Sequence, residues 1–86
     1  MLTPRNIEQL EHRLSRLIGQ VTAIKNGLRE DLPEGKVLTQ IKASTSALRS
    51  FTQEYLKLLI TAHILDENVS LKEASQEIEK LLESFQ

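Results

Sequence analysis

Basic and amide side chains recur along two stretches of the chain at spacings that suit contact with nucleic-acid phosphates and bases. Arg13, Arg16 and Gln20 follow one another at steps of three and four residues, so a helix would place them in one stripe. Lys42 and Arg49 lie seven residues apart and would share one face of a second helix. Arginine and lysine contact phosphates, and arginine or glutamine also reads base edges. The same spacing suits solvated polar residues that flank a helical seam, so spacing alone leaves both interpretations open.

The composition excludes thiol chemistry and leaves nucleic-acid binding open. The chain of 86 residues has no cysteine and a formal net charge of −1. Thiolate nucleophiles, disulfides, iron–sulfur clusters and soft-metal thiolate sites are therefore excluded. The net charge argues against a nucleic-acid partner, but residues 1–29 carry five basic and two acidic side chains, and residues 36–65 carry four and one. Acidic residues concentrate in 30–35 and 66–86, although ordinary scatter between segments also produces such a pattern.

The length and the apolar pattern predict a cytoplasmic protein with one domain, residues 1–86, and no membrane partner. No apolar run approaches the roughly 20 residues that cross a bilayer. The first residues lack the apolar core of a signal peptide. A domain this short buries a modest fraction of its surface, so we expect it to complete its core with further copies of itself.

Periodicity and capping residues predict three helices. The first is expected at about 4–29, after the Thr3-Pro4 start signal. The second is expected at about 33–65 with Asp31 as its cap, and the third at about 71–85 after Ser70. Apolar residues of the first helix alternate at steps of three and four, as in a heptad seam: Ile7, Leu10, Leu14, Leu17, Val21, Ile24 and Leu28. The second helix has a similar seam: Val37, Ile41, Ser44, Leu48, Phe51, Tyr55, Leu58 and Ala62.

These elements predict an all-α fold, in which a long antiparallel helical hairpin carries a short third helix. The turn between the first two helices is short, so they must pack antiparallel. One hairpin cannot cover both of its apolar faces. Two hairpins that pack as a four-helix bundle would cover them.

Two motifs carry a family resemblance. The run R-L-S-R-L-I-G-Q-V at residues 13–21 resembles the R-L-x-R-x-x-G-Q-V stretch of the CsoR/RcnR/FrmR metal- and formaldehyde-sensing repressors. The run V-L-T-Q-I at residues 37–41 is similar to the opening of their second helix, in register and without gaps from about residue 5 to 65. The resemblance implies a three-helix protomer, a four-helix-bundle dimer and a dimer-of-dimers tetramer. It also implies repression of transcription on double-stranded operator DNA and release by an inducer.

The resemblance favours DNA contact for the polar stripes named above. The residues assigned to DNA are Arg13, Arg16, Gln20, Lys42 and Arg49. Gly19 belongs to the first motif, and a glycine inside a helix costs about 1 kcal/mol relative to alanine. We therefore expect Gly19 to serve close packing.

The resemblance further implies a sensing site formed between subunits by the two ends of helix 2. Glu34 stands at the family's cysteine position, Leu59 at its first histidine position, and His63 at the next, as in the nickel/cobalt branch. Glu79 lies roughly where the copper branch has a supporting carboxylate. Without cysteine, Cu(I), formaldehyde and persulfide sensing are disfavoured. Zinc, nickel or cobalt could bind weakly to His63, Glu34 and Glu79.

Other interpretations stay open at this point. His63 and Glu34 also suit an ordinary helix-end histidine and a helix-start acid, so the chain could sense another effector or repress constitutively. A helical oligomeric scaffold without DNA binding is one alternative function. A small helical dimeric enzyme of the chorismate-mutase type is another, but the apolar seams contain none of the buried cations which that chemistry needs. A non-enzymatic repressor is therefore the prediction.

Overall fold

The structure, a computed structural model, describes residues 2–85 and contains three α-helices. They are α1 (Pro4–Arg29), α2 (Glu34–Ile64) and α3 (Leu71–Phe85). Helices α1 and α2 form a hairpin, and α3 packs against α2. No strand occurs within residues 2–85, so the all-α, three-helix prediction is confirmed. Met1 and Gln86, the ends of the expected domain 1–86, lie outside the described residues.

Helix α1 begins at a reciprocal cap. The Thr3 hydroxyl accepts a hydrogen bond from the Asn6 N–H (3.1 Å), and the Asn6 side-chain oxygen accepts one from the Thr3 N–H (3.1 Å). Pro4 occupies the first helical position, where a missing N–H costs nothing. The first N–H groups of the helix are therefore satisfied locally, which fixes the start of α1 as expected from Thr3-Pro4.

The turn between α1 and α2 differs from the prediction. Asp31 has φ 56° and directs the chain out of α1, and the Leu32 N–H donates to the Gly27 carbonyl (3.0 Å). This is the closure typical of a helix C-terminus. Asp31 therefore does not cap α2, and that prediction is wrong. The N-cap of α2 is Pro33, with no side-chain hydrogen bond, and the helix begins at Glu34.

The predicted seam of α1 divides into two rows with different environments. Leu10 is buried, and Leu17 and Ile24, one and two heptads later, are half-buried against α2. The residues three positions before or four positions after them are exposed: Ile7, Leu14, Val21 and Leu28. A single hairpin thus covers only half of the apolar stripe of α1.

Helix α2 shows the same division. Val37 and Ser44 are buried and Phe51 and Leu58 are half-buried, so this heptad row faces α1. Exposed apolar side chains form the neighbouring row: Ile41, Leu48 and Tyr55. This row and the exposed row of α1 together form the apolar face of the hairpin. Helix α3 adds one buried residue, Ala74, and its N-terminus is capped by Ser70, whose hydroxyl accepts from the Glu73 N–H (3.2 Å).

The protomer is a single thin layer. Its Cα atoms extend over 55 × 27 × 13 Å with a radius of gyration of 17.3 Å, against roughly 12 Å for a compact domain of this length. The buried apolar residues within 2–85 are Leu10, Val37 and Ala74. No helix in this part of the chain is long and apolar enough to span a membrane.

Candidate nucleic-acid interface and effector site

Arginines of α1 gather in a shallow depression beside α2. Arg5, Gln9, Arg13 and Arg16 line it, and Glu54 of α2 lies at its far side. These side chains fall together because steps of three, four and eight residues return to neighbouring positions on a helix. The depression therefore concentrates three guanidinium groups on one side of the hairpin.

This arginine face lies opposite the apolar face. Arg13 follows Leu10 by three residues and Leu14 follows it by four, so the two flank the Leu10 row on opposite sides. The pockets of the two sides confirm the division: Arg13 and Glu54 line one, whereas Ile7 and Tyr55 line another. One layer thus presents hydrocarbon on one side and guanidinium groups on the other.

The arginines form no ion pair with any other residue of the described range 2–85. Within residues 2–85, no arginine nitrogen lies within 4.0 Å of a carboxylate oxygen. The ion pairs in that part of the chain are His12–Glu8 (3.9 Å) and Lys80–Glu77 (3.4 Å), both exposed. Arg13 and Arg16 are exposed as well, so their donors are available to an external anion.

The remaining predicted DNA contacts lie in two places. Gln20 is exposed one heptad after Arg13 and extends the arginine face towards the other end of α1. Lys42 and Arg49 are exposed, and each follows a residue that faces α1 by five positions, which places it on the opposite edge of α2. Within one protomer the structure brings Arg13 and Arg16 together and leaves Lys42 and Arg49 on a separate edge.

The space beside the Gly19 Cα is open within residues 2–85. A Cβ built on Gly19 meets no atom within 4 Å. The prediction that Gly19 serves close packing is therefore wrong for the protomer. The packed glycine is Gly27, where a Cβ would lie 3.0 Å from the Leu32 Cδ1 and 3.3 Å from the Gln40 Oε1. Sequence reasoning missed Gly27, because its neighbours Leu32 and Gln40 reach it only through the turn and the start of α2.

The predicted metal ligands do not converge within one protomer. Glu34 and His63 stand in the first and last turns of α2, 29 positions and roughly 44 Å apart at ~1.5 Å per residue. Glu79 is exposed on α3. No group of three His, Cys, Asp or Glu side chains within residues 2–85 could hold a metal ion. Leu59 places hydrocarbon one turn before His63, so the donor set of the protomer does not fit a metal.

His63 instead lines a pocket of about 390 Å³. Leu2, Ile7 and Leu59 contribute hydrocarbon to its wall, and Asp66 and Tyr55 contribute polar groups. His63 and Asp66 are half-buried. Sequence reasoning singled out His63 but not Asp66 or Tyr55. The spacing of Tyr55, Leu59 and His63, four residues each, was the available signal that these side chains share one face.

Comparison with known proteins identifies the family. Residues 6–86 match the family described as metal-sensitive transcriptional repressor. The chain belongs to this family. The transcriptional repressor RcnR of Escherichia coli strain K12 is 34% identical over 85 residues, which cover 96% of this chain and 94% of that protein. The same figures hold for RcnR of Shigella flexneri serotype 5b and for an RcnR homolog of Escherichia coli O139:H28.

Membership of the metal-sensitive repressor family confirms the resemblance carried by the two motifs. The relatives are transcriptional repressors and not enzymes, so the comparisons do not favour an enzyme of the chorismate-mutase type or a scaffold. No solved structure matches the chain significantly. The family description concerns metal sensitivity as a class, and it names no metal for this chain.

Proposed function

We propose that this protein represses transcription by binding double-stranded operator DNA as a homotetramer of two four-helix-bundle dimers, and that an effector releases it. Family membership supports repression and a DNA partner. The observation that carries the DNA-binding surface is the arginine face. Its guanidinium groups are exposed and unpaired within residues 2–85. They lie opposite the apolar face, whose exposed hydrocarbon would be buried by a second subunit.

The exposed surface supports assembly. The chain exposes 7022 Å², whereas a compact monomer of 9.8 kDa would expose roughly 5200 Å². The excess of roughly 1800 Å² exceeds the ~800 Å² that each partner buries in an interface of standard size. A layer that is apolar on one face must cover that face with a second layer. A second hairpin on the apolar face supplies that layer and forms the four-helix bundle.

Assembly through the apolar face turns the arginine face outward. A two-fold dimer then presents Arg13 and Arg16 twice, and a tetramer presents them four times. This repetition produces a strong local positive potential although the chain has a formal net charge of −1. Lys42 and Arg49 lie on the outer edge of α2 and would extend the surface beyond the α1 stripe.

The arginines would act mainly on phosphates. Contacts of this kind release counterions, so affinity falls as salt rises, with a slope of about −0.9 for each phosphate contact. Gln20, and Arg13 where it reaches a groove, would add base preference. An effector that alters how subunits pack would move the arginine faces relative to one another and release the DNA.

The effector that family membership suggests is a metal. Zinc, nickel or cobalt would need Glu34 and His63 from different subunits, because these residues stand at opposite ends of α2 in one protomer. Glu79 would have to join them from α3. Antiparallel contact of two α2 helices is the arrangement that would bring the ends together.

The test compares two double variants on the promoter of the protein's own operon. Arg13→Ala with Arg16→Ala removes two of the three arginines of the arginine face, and Lys72→Ala with Lys80→Ala removes the same charge from α3 as a matched control. If DNA contacts two copies of each arginine, four contacts are lost. At about 1 kcal/mol for each contact, the loss of about 4 kcal/mol should lower affinity roughly 1000-fold, and the salt slope should fall by about 3.6. Fluorescence anisotropy against salt measures both quantities.

Equal weakening by the two double variants would refute the assignment of the arginine face. If the wild-type protein failed to bind duplex DNA even at low salt, the scaffold alternative would replace the repressor. Circular dichroism of each variant checks that its helices are intact.

A further inference from the structure

The pocket around His63 has charge properties that favour a cation. It lies where the first turn of α1 meets the last turns of α2, and Asp66 brings a half-buried carboxylate to it. The Asp66 Oδ1 accepts one hydrogen bond, from the Asn68 N–H at 2.9 Å. No cationic side chain within residues 2–85 lies within 4.0 Å of this carboxylate. Among residues 2–85 the Asp66 carboxylate therefore has no cationic side chain as a partner.

Two further features of the pocket favour positive charge. The Tyr55 ring lines it, held by a stack on Phe51 with ring centroids 6.2 Å apart and planes at 15°. The face of an aromatic ring attracts cations within about 6 Å. The pocket also lies at the C-terminal end of α2, which ends at Ile64, and this end of a helix carries partial negative charge. The Asp66 carboxylate, the Tyr55 ring and the C-terminal end of α2 all favour a positively charged ligand.

The rest of the wall suits an organic molecule. Leu2, Ile7 and Leu59 present hydrocarbon, and Leu59 occupies the position one turn before His63 where a further metal donor would have to stand. A volume of about 390 Å³ falls within the roughly 300–1000 Å³ of small-molecule pockets, which combine an apolar wall with a few polar groups. A bare divalent ion needs several oxygen or nitrogen donors at short distance, and within residues 2–85 no three His, Cys, Asp or Glu side chains are grouped to supply them.

We propose that this pocket binds a small organic cation, whose ammonium group pairs with Asp66 beside the Tyr55 ring and whose hydrocarbon part packs on Leu59 and Ile7. Ile7 and Tyr55 also belong to the apolar face. A second subunit on that face would close the open side of the pocket, so the occupied pocket would alter subunit packing. This regulatory consequence rests on the proposed repressor function, whereas binding of the cation does not.

The test is calorimetric titration of the full-length protein, without DNA, with benzyltrimethylammonium as the probe. Benzyl alcohol and benzoate serve as neutral and anionic ligands of similar shape. We expect the cation to bind at least tenfold more tightly than either. Asp66→Asn should weaken the cation at least tenfold and leave benzyl alcohol unchanged, because asparagine keeps the oxygen that accepts from Asn68. Glu67→Gln, which removes the neighbouring exposed carboxylate outside this pocket, should change neither.

Three results would overturn the proposal: no heat from the cation at millimolar concentration, equal affinity for benzoate, or equal weakening by Asp66→Asn and Glu67→Gln. Titration with Zn²⁺ and Ni²⁺ under the same conditions tests the competing occupant, and displacement of the probe by either ion at equimolar concentration would also count against it. The DNA measurement on the arginine variants is separate. Failure of the pocket therefore leaves the repressor assignment standing, and failure of the arginine face leaves the cation pocket standing.

Discussion

Truncation of Leu48 tests whether the apolar face is the place where two subunits meet. Leu48 lies in the middle of the exposed row of α2 and is 51% exposed in the protomer. Burial of a whole leucine side chain stabilises by up to ~3 kcal/mol, and removal of its three outer carbon groups costs about 2.4 kcal/mol at ~0.8 kcal/mol each. Since about half of the Leu48 side chain is exposed in the protomer and would be buried only by a second subunit, Leu48→Ala should weaken association by about 1.2 kcal/mol for each copy.

Symmetry doubles this effect. A two-fold interface uses the same patch of both subunits, so each dimer loses the contribution of Leu48 twice. The sum of about 2.4 kcal/mol corresponds to a dissociation constant raised roughly 50-fold. Sedimentation equilibrium over a range of protein concentrations measures this constant directly. The control is Leu65→Ala, which removes an equally large side chain that is 72% exposed just after α2 and lies outside the apolar face.

Two results would refute the reasoning. One is an unchanged dissociation constant for Leu48→Ala with helicity retained, and the other is an equal effect of Leu65→Ala. Loss of helicity in the monomeric fraction of Leu48→Ala would show that the residue supports the protomer itself. Helicity of that fraction, measured by circular dichroism at the lowest concentrations, therefore belongs to the same experiment.

Two paired comparisons test the glycines and the sensing position. Gly19→Ala should raise the free energy of unfolding by up to ~1 kcal/mol, because the space around Gly19 is open. Gly27→Ala places a carbon 3.0 Å from a leucine methyl, so its gain in the free energy of unfolding, measured in urea, should be smaller by at least ~1 kcal/mol. Equal gains for the two variants would contradict the packing at Gly27. Leu59→His adds a nitrogen donor one turn before His63 and should raise Zn²⁺ or Ni²⁺ affinity in competition with a chromophoric chelator. Thr52→His, seven residues earlier on the same face, should leave the metal affinity unchanged. Equal metal affinities of the two variants would show that His63 takes no part in metal binding.

The helices could be predicted closely because their signals are local. Thr3-Pro4 and Ser70 act on their own helices through hydrogen bonds to residues three positions away, so sequence proximity suffices to identify them. The turn at Asp31 could not be predicted in the same way. An aspartate can cap the next helix or take a left-handed conformation at the end of the previous one, and the second role was decided by the bond from Leu32 to Gly27.

The division of the seam lay beyond sequence reasoning for a related reason. Alternating steps of three and four define two heptad rows of similar apolar character, and nothing in the spacing says which row meets the neighbouring helix of the same chain. The structure assigns the Leu10 row to α2 and leaves the Leu14 row exposed. The candidate site follows the same logic: Arg13 and Arg16 are local neighbours and could be grouped, whereas Ile7 of α1 joins His63 and Asp66 only after the hairpin closes.

The continuity of α1 would couple the proposed effector pocket to the proposed DNA surface. Arg13 and Leu14 are consecutive residues that flank the Leu10 row, so about 100° of helix separates the proposed phosphate contact from the proposed subunit contact. Ile7, one heptad before Leu14, lies in the wall of the pocket that contains His63 and Asp66. A ligand that displaces Ile7 would change how the Leu14 row packs. Because α1 is continuous over Pro4–Arg29, any rotation that repacks Leu14 turns Arg13 with it. Small helix movements at subunit interfaces are a common means of such switching, so the effector need not come near the DNA to release it.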